Sequence, residues 1–410
     1  MAKSLDNNEI KRYLDQSKFL ISDGYGPGIP IFLSKGIRVV DFFNNLFICA
    51  LLESGISFKK INCQQLISRT DFETLYNHIN DYSGEVLSFG ESVLMSDPLA
   101  QTLKEIKKSI KTNEEVNLLT VSSIFRNKSR GLIPLFKDRN IFPVVQLDQG
   151  INNDDFENNL ASLKKLYYKF YESIGIKILF LEAKEVPEYA EYELYFLSSL
   201  DDNFTKLGMI YKLSKKFNIN YGITSQVSLV NSGFSGKTLF MSIKNFSETY
   251  NKNCIPPYLT ASKVLLVFDE LKCKDEIEKK LDIAGINYVS QLHNKKSFQS
   301  WKDSEIFYFV LVHKFFTLHE RNGQVYEFES LNELLKHIEN NLRDNRNQSF
   351  MNSSEKLQSN LEGKIKNVCL HCWKEDYYGL ILLDIHKQCE ICGKDIDRAI
   401  FTENSNKRFY

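Results

Sequence analysis

The sequence predicts an α/β protein built from three successive parts. Residues 116–126 and 141–148 have the pattern of two paired strands inside a helix-containing region. After Pro256-Pro257, strands alternate with helices, which is typical of a small α/β domain with a partly parallel sheet. Two Cys-x-x-Cys pairs lie in the C-terminal part. We therefore expect three domains, at 1–255, 256–345 and 346–410.

Composition is that of a globular protein. The 410 residues are 43% hydrophobic and 25% charged. Lys+Arg and Asp+Glu are equal at 52 each, so no overall positive field indicates nucleic acid, although a local basic patch stays open. No apolar run is long enough to span a membrane, and the first residues lack the apolar core of a signal peptide. We expect a soluble, cytoplasmic protein.

Periodicity places the elements of the first domain. Apolar residues recur at spacings of three and four over 37–54, with Gly55 as a helix-ending residue, and this predicts a long helix. Residues 156–174 are expected to form an amphipathic helix, and 206–218 another. The loop between the two predicted strands is basic, with Lys128, Arg130, Lys137 and Arg139. That loop could contact RNA, or it could be a solvated hairpin tip.

The second half predicts shorter elements before a polar connector. Strands are expected at 263–268, 287–291 and 306–313, and helices at 275–284 and 330–343. Residues 344–364 are polar and are expected to connect the last helix to the cysteine-containing segment, or to continue that helix.

Four cysteines form the clearest chemical pattern, Cys369, Cys372, Cys389 and Cys392. Each pair can present two thiolates from a tight knuckle, and four sulfur ligands suit tetrahedral Zn²⁺. Gly393 follows the second pair, where the backbone needs unusual dihedral angles. A closed four-cysteine site has no open coordination position, so the expected zinc is structural.

Other interpretations of these cysteines stay open. The four could form disulfides or be ordinary buried thiols, and His371 could replace one thiolate. The remaining cysteines are scattered through apolar surroundings, as in a reducing cytosol: Cys49, Cys63, Cys254 and Cys273.

The order of these parts resembles a class II aminoacyl-tRNA synthetase. The most similar type is prolyl, in its archaeal and eukaryotic form, which carries a C-terminal zinc module. Residues 26–41 and the helix after them look like the first family motif, which forms the dimer interface. Residues 125–128 and 139–146 look like the second motif. Residues 255–264 are similar to the junction that opens the anticodon-binding domain, and 407–410 to the aromatic C-terminus of the subfamily.

The resemblance implies a fold and an activity. It implies a catalytic-like α+β domain with an antiparallel sheet and helices, an anticodon-binding-like α/β domain and a zinc module. It further implies use of ATP with Mg²⁺ to form an aminoacyl adenylate, transfer to tRNA or another acceptor, and a homodimer.

The same resemblance assigns the nucleotide-binding residues. Arg126, Arg139 and Phe142 would bind ATP, with Arg126 on the α-phosphate and Phe142 against the adenine ring. Lys237 lies where the third motif has a catalytic arginine, so Arg126 and Lys237 are the expected catalytic residues. Alternatively, Arg126 is a solvated hairpin residue and Lys237 a surface lysine after a glycine-rich turn.

Several positions depart from the family pattern. Lys128 stands where a glutamate is expected, and Lys237 can supply charge but not the two-pronged hydrogen bonding of arginine. In the 94–99 loop, the expected glutamate for the substrate amino group is missing, and Asp97 is its nearest substitute. Glu191 and Glu193, near the expected amino-acid pocket, are interpreted as surface residues.

Two functional classes follow from these patterns. Arg126 favours an enzyme that adenylates an amino acid, whether for tRNA or, with a changed substrate, for another acceptor. Lys128, Lys237 and the altered 94–99 loop favour a synthetase paralog that has lost catalysis and binds RNA or a protein. The amino acid itself is not identified by the sequence.

Overall fold

A computed structural model describes residues 6–76, 86–110, 115–127, 132–224, 226–270, 273–375 and 377–402. The chain divides into two compact units. Unit 1 contains Met1–Ile48, Glu172–Ile176 and Leu239–Asn352, and unit 2 contains Cys49–Tyr171, Lys177–Thr238 and Ser353–Tyr410. The three-domain division at 255 and 345 stays a prediction. No helix among the described residues is long and apolar enough to cross a membrane.

The α-helices of the described residues range from one and a half turns to more than eight. They are α1 (Asn7–Gln16), α2 (Ser34–Glu53), α3 (Arg69–Tyr76), α4 (Leu99–Ile110), α5 (Phe156–Ser173), α6 (Lys215–Asn220), α7 (Gly236–Thr249), α8 (Lys274–Ile283), α9 (Ser297–Asp303) and α10 (Leu331–Leu361).

The strands form four sheets among the described residues. They are β1 (Leu20–Ile21), β2 (Ile31–Phe32), β3 (Lys59–Ile61), β4 (Leu66–Ser68), β5 (Ser88–Phe89), β6 (Ser92–Leu94), β7 (Val116–Phe125), β8 (Asn140–Asn152), β9 (Leu179–Ala183), β10 (Ala190–Leu200), β11 (Asn203–Leu213), β12 (Val227–Ser235), β13 (Val264–Phe268), β14 (Tyr288–Leu292), β15 (Tyr308–Val312), β16 (Phe316–Glu320), β17 (Val325–Phe328), β18 (Ile365–Lys366), β19 (Gly379–Gln388) and β20 (Asp395–Phe401).

Unit 2 is organised around a ten-stranded sheet. Its order is β18-β20-β19-β9-β10-β11-β12-β8-β7-β3, and every pair is antiparallel except β3 with β7. The predicted antiparallel sheet with helices is therefore confirmed. The strands that flank the cysteines, β19 and β20, extend this sheet through β9.

Unit 1 contains a mixed five-stranded sheet of order β14-β13-β15-β16-β17. β13 runs parallel to both β14 and β15, whereas β16 and β17 pair antiparallel. The helices α8 and α9 connect the parallel strands, as such connections require a crossover. The predicted small α/β domain with a partly parallel sheet is confirmed.

The first long helix, α2, matches the predicted 37–54 closely. The first turn of α2 packs closely against the segment that contains Phe19, because Gly36 has no side chain at the contact. A Cβ on Gly36 would lie 2.2 Å from the carbonyl oxygen of Phe19. Val39, Phe43 and Leu51, on the helix that the resemblance assigns to a dimer interface, are fully buried within the single chain.

The helix predicted at 206–218 is wrong. Residues 203–213 form β11, and only Lys215–Asn220 are helical. β11 lies between β10 and β12, so it is covered along both edges and buried residues occur on both of its faces. Such a strand loses the strict alternation that identifies a half-buried strand, and its apolar spacing imitates a helix.

Of the two expectations for 344–364, a polar connector or a continuation of the preceding helix, the structure confirms the helix over most of the segment. Residues 331–361 form one continuous helix, α10. Its buried positions include Asn345, Ser349 and Ser353, spaced four residues apart, with Leu357 one turn further. Small polar side chains therefore occupy the buried stripe, which hydrophobic periodicity does not detect.

Candidate functional site

Three neighbouring strands of unit 2 bring the predicted nucleotide residues to one end of the sheet. Arg126 follows β7 directly, and its backbone N–H donates to the carbonyl oxygen of Arg139 at 2.8 Å. In the register of β7 and β8, Phe125 lies opposite Asn140. Asn140 is two residues before Phe142 on β8. Arg126, Arg139 and Phe142 are half-buried.

Lys237 reaches the same end of the sheet from β12. Ser235, the last residue of β12, lies opposite Val144 of β8, and α7 begins immediately afterwards. A Cβ on Gly236 would lie 2.6 Å from the carbonyl oxygen of Phe142, so glycine permits the close approach. The Lys237 ammonium lies 4.7 Å from the ring centroid of Phe136, within the range of a cation–π contact.

Part of the predicted basic loop lies outside the described residues. This is the case for Lys128 and Arg130, and also for the C-terminal residues 407–410. Lys137 is described and closes a short turn, in which its N–H donates to the carbonyl oxygen of Ile133 at 2.8 Å.

A second group of polar residues lies within the same sheet, and sequence analysis identified only one of its members. We call Asp97, Thr102, Gln146, Asp148 and Asn231 the carboxylate cluster. The Gln146 Nε2 group donates to Asp97 Oδ1 at 3.3 Å and to both oxygens of Asp148, at 3.1 and 3.0 Å. The Thr102 hydroxyl donates to Asp148 at 2.7 Å, and Asn231 Nδ2 donates to its other oxygen.

Strand register and a helix start assemble this cluster. Gln146 and Asp148 are two residues apart on β8 and therefore share a face, and Asn231 of β12 lies directly opposite Asp148. Asp97 precedes α4, and its Oδ1 also accepts from the N–H of Leu99 at 2.7 Å. A Gln-x-Asp pair on the predicted strand was the signal that could have located the cluster.

Burial and proximity alter the acidity of both carboxyl groups. Burial raises the pKa of Asp148 to about 7, and repulsion from Asp97 adds to the rise, while donation from Thr102, Gln146 and Asn231 opposes it. Burial also raises the pKa of Asp97, while the hydrogen bond from the N–H of Leu99 and the positive charge of Arg126 act to lower it. Asp148 is 1% exposed, whereas Asp97 is half-buried. Asp97 is therefore the carboxylate that solvent or a ligand can reach.

An apolar group accompanies these carboxylates. Cys63, Met95, Ile124 and Val144 pack together, all of them buried. Burial raises the pKa of the Cys63 thiol to about 12, and the negative charges of Asp148 and Asp97 add to the rise. A carboxylate beside a small apolar surface can bind an ammonium group attached to a short apolar side chain.

The interpretation of Glu193 as a surface residue is wrong. Its side chain is 2% exposed and accepts a short hydrogen bond from the hydroxyl of Tyr195. The ammonium of Lys206 lies 4.4 Å from the centroid of the Tyr195 ring. Glu191 is exposed, as expected, and accepts from the backbone N–H of Lys215 at 2.9 Å.

The four cysteines of the C-terminal segment converge as their spacing predicted. Their sulfur atoms all lie within 4.8 Å of one another, and Cys369 Sγ is 3.7 Å from Cys392 Sγ. Four ligands at ~2.3 Å from a central ion in a tetrahedron are separated by about 3.8 Å, so the cluster has the dimensions of a metal site. His371 is exposed and is not a member of the group.

The backbone of each knuckle supports this arrangement. The N–H groups of Cys372 and Trp373 donate to the Cys369 carbonyl oxygen, and the N–H of Gly393 donates to the Cys389 carbonyl oxygen. The φ angle of Gly393 is 69°, in the left-handed region that favours glycine. Backbone donors, first the N–H of Cys369, lower the pKa of Cys389 to about 6. All eight cysteines are in the described residues and none is in a disulfide, so the disulfide alternative is not supported.

Comparison with known proteins gives a similar fold but no sequence relative. No protein-family model and no curated protein matches the sequence. Among solved structures, Giardia lamblia prolyl-tRNA synthetase in complex with prolyl-adenylate has a TM-score of 0.74. The match covers 98% of this chain and 99% of that chain, at 12% sequence identity. The class II synthetase-like fold implied by the sequence motifs is thereby confirmed.

Proposed function

We propose that this protein uses ATP to activate a small amino acid as its adenylate, and passes the aminoacyl group to tRNA or another acceptor. The observation that carries the proposal is the position of Arg126, Arg139, Phe142 and Lys237. They lie at one end of three adjacent strands, in a fold similar along its whole length to a synthetase bound to an aminoacyl adenylate.

In this proposal the protein contributes positioning and charge rather than a covalent intermediate. The substrate carboxylate attacks the α-phosphorus of ATP, the new C–O–P bond forms, and pyrophosphate leaves. Arg126 stabilises the charge that develops on the α-phosphate, and Lys237 supplies a second positive charge. Phe142 stacks against adenine, Arg139 contacts the nucleotide, and Mg²⁺ neutralises phosphate charge when bound.

The carboxylate cluster provides the amino-acid site. Asp97 is half-buried, and its Oδ2 accepts no hydrogen bond from any described residue, so it is available to a substrate ammonium. Asp148 is buried and its hydrogen bonds fix Gln146, which in turn holds Asp97. The half-buried Ile61 and Ile141, which pack against the apolar group beside the carboxylate cluster, would contact a short side chain, which fits proline among other small amino acids.

Structural zinc, RNA binding and a homodimer complete the proposal. The cysteine cluster has the dimensions for Zn²⁺ and, with four sulfur ligands, leaves no open position for catalysis. The dimer would use the exposed apolar side chains of α2, Ile37 and Leu52, since Val39 and Phe43 are buried within the chain. Light scattering at micromolar concentration tests it, because a monomeric mass contradicts the dimer.

Exchange of pyrophosphate into ATP, run separately with each of the twenty amino acids, tests the activity. We expect exchange that depends on one small amino acid. Asp97→Asn should then raise the KM for that amino acid with little change in the KM for ATP, whereas Asp71→Asn, an exposed carboxylate paired with Lys104, should change neither. Exchange with none of the twenty contradicts the proposal.

A second candidate function is RNA binding without catalysis. Lys237, in place of an arginine, cannot form a bidentate contact to phosphate, and this favours a lost activity. Gel-shift binding of tRNA by a protein that shows no exchange would support this alternative.

A further inference from the structure

Unit 1 contains a cavity of about 280 Å³ that none of the residues proposed for ATP or the amino acid lines. It lies among α1, the start of α2, the segment before Pro256, and the residues around β16. Gln16 and Lys302 line it and are exposed, so the cavity opens to solvent. Lys35 lines it and is 6% exposed, so its side chain lies deep inside.

Lys35 differs from another buried lysine of the same unit in the groups around its ammonium. No described residue accepts a hydrogen bond from the Lys35 ammonium or forms an ion pair with it. At Lys244, whose side chain is 2% exposed, Glu248 lies 3.3 Å from the ammonium and Asn7 Oδ1 accepts from it at 3.2 Å. Because a buried charge is costly unless it is paired, the position of Lys35 favours an anionic ligand in the cavity.

The neighbouring charges do not satisfy Lys35. Glu305 also lines the cavity, but both of its oxygens accept from the guanidinium of Arg38, at 2.7 Å each. Asp303 pairs with Lys18 at 3.3 Å. Burial, followed by repulsion from Arg321, lowers the pKa of Lys35 to about 8, although Glu305 and Asp303 oppose this.

A second cation makes the cavity suited to an anion. Arg321 donates to backbone carbonyl oxygens, among them those of Ile306 and Ser304, and no carboxylate of the described residues accepts from its guanidinium. Lys35, Arg321 and Lys302 thus give the cavity an excess of positive charge over Glu305.

We propose that this cavity binds a small polyanion carrying phosphate or carboxylate groups, with the Lys35 ammonium in direct contact with one oxyanion. A cavity of about 280 Å³ has room for a diphosphate or a tricarboxylate. Lys302 at the opening would attract the anion, and Arg321 would stabilise its second charge.

Calorimetric titration of the full chain with pyrophosphate tests the proposal. Because pyrophosphate could also bind among the proposed ATP residues, the titration is made in the Arg126→Ala protein. We expect saturable binding that adding Lys35→Met weakens about 10- to 100-fold, the effect of one charge-assisted hydrogen bond. Lys296→Met, which removes an exposed lysine of unit 1 outside the cavity, should leave the affinity unchanged.

Thermal unfolding separates loss of binding from loss of folding. Lys35→Met removes an unpaired buried charge, so its Tm without ligand should equal or exceed that of the parent, while the rise in Tm caused by pyrophosphate should disappear. If Lys35→Met does not fold, Lys35→Arg should retain binding and Lys302→Met should weaken it. Citrate titrated in parallel distinguishes a carboxylate ligand from a phosphate ligand. Absence of saturable binding with both, or equal binding by Lys35→Met, overturns the proposal.

Discussion

The cysteine cluster and the carboxylate cluster both gather ionisable side chains within unit 2, but they are built in different ways. The cysteines come from two knuckles whose members are three residues apart, and the pairs are joined by one strand. Asp97, Asp148 and Asn231 come from three distant segments, and the hydrogen bonds between them join residues up to 83 positions apart. Local backbone geometry fixes the first cluster, and long-range strand register fixes the second.

That difference has a physical consequence for how each cluster is stabilised. Few apolar side chains support the cysteine knuckles: Val368, Ile396 and their neighbours form a small group. Metal ligation must therefore contribute much of the folding free energy there. The carboxylate cluster instead lies within a large apolar core, which holds two carboxyl groups close together at the cost of raised pKa values.

Removing two metal ligands should have the largest effect. We expect elemental analysis to find one zinc per chain in the wild type and none in the double variant Cys389→Ser/Cys392→Ser. The apparent free energy of zinc ligation in small modules is about 10–16 kcal/mol, so local unfolding of residues around the knuckles is expected. Hydrogen exchange of the backbone amides around the knuckles measures this local unfolding.

The matched control for this variant is Cys49→Ser. Cys49 is exposed and outside the cluster, so its replacement should leave both zinc content and exchange unchanged. Wild-type protein that is purified without chelators and contains no zinc contradicts the metal proposal.

Replacing Arg126 should have the next largest effect, on rate rather than on folding. Arg126→Ala should slow amino-acid-dependent pyrophosphate exchange by about 10²–10³-fold, the usual cost of losing one donor to developing charge. Arg69→Ala is the control, since Arg69 is exposed and donates to the carbonyl oxygen of Gly90. Equal rates for Arg126→Ala and the wild type would show that Arg126 is a hairpin residue without a catalytic role.

The contrast between the clusters also explains what the sequence could and could not predict. The convergence of the four cysteines follows from their spacing alone, whereas Arg126, Phe142 and Lys237 came from the family resemblance and their roles stay predictions. Asp148 was missed because its contacts depend on which residue of β12 lies opposite it, and β12 was not predicted. β11 was assigned to a helix because a doubly covered strand lacks alternation, and 344–364 stayed open between connector and helix because Ser349 and Ser353 are polar though buried.

The carboxylate cluster should make stability depend on pH. Asp148 has a pKa of about 7 in the folded protein, against 3.8 as its ordinary value, so the folded state holds this proton more firmly. The contribution of Asp148 to the free energy of unfolding therefore falls as the pH rises from about 4 to 7. Between about pH 5 and pH 8, this costs about 3 kcal/mol of the free energy of unfolding.

The variant Asp148→Asn removes that titration. Urea unfolding at several pH values should show a loss of stability with rising pH in the wild type that is smaller in the variant. Asp154→Asn, which replaces a carboxylate outside the cluster, should retain the wild-type dependence. Parallel pH profiles for Asp148→Asn and the wild type would mean that Asp148 is ionised in the folded protein well below pH 7.

The smallest effect is expected at Lys128, which lies outside the described residues. The resemblance to synthetases expects a glutamate there, which accepts from the adenine amino group. Lys128→Glu should therefore strengthen ATP binding by up to about tenfold, the net value of one hydrogen bond. Lys137→Glu makes the same charge change in the same loop and should weaken binding, because it only removes attraction for phosphate. If Lys128→Glu also weakens ATP binding in a calorimetric titration, Lys128 itself contacts the nucleotide. The departure from the family pattern would then be a working substitution, and the case for an active enzyme would become stronger.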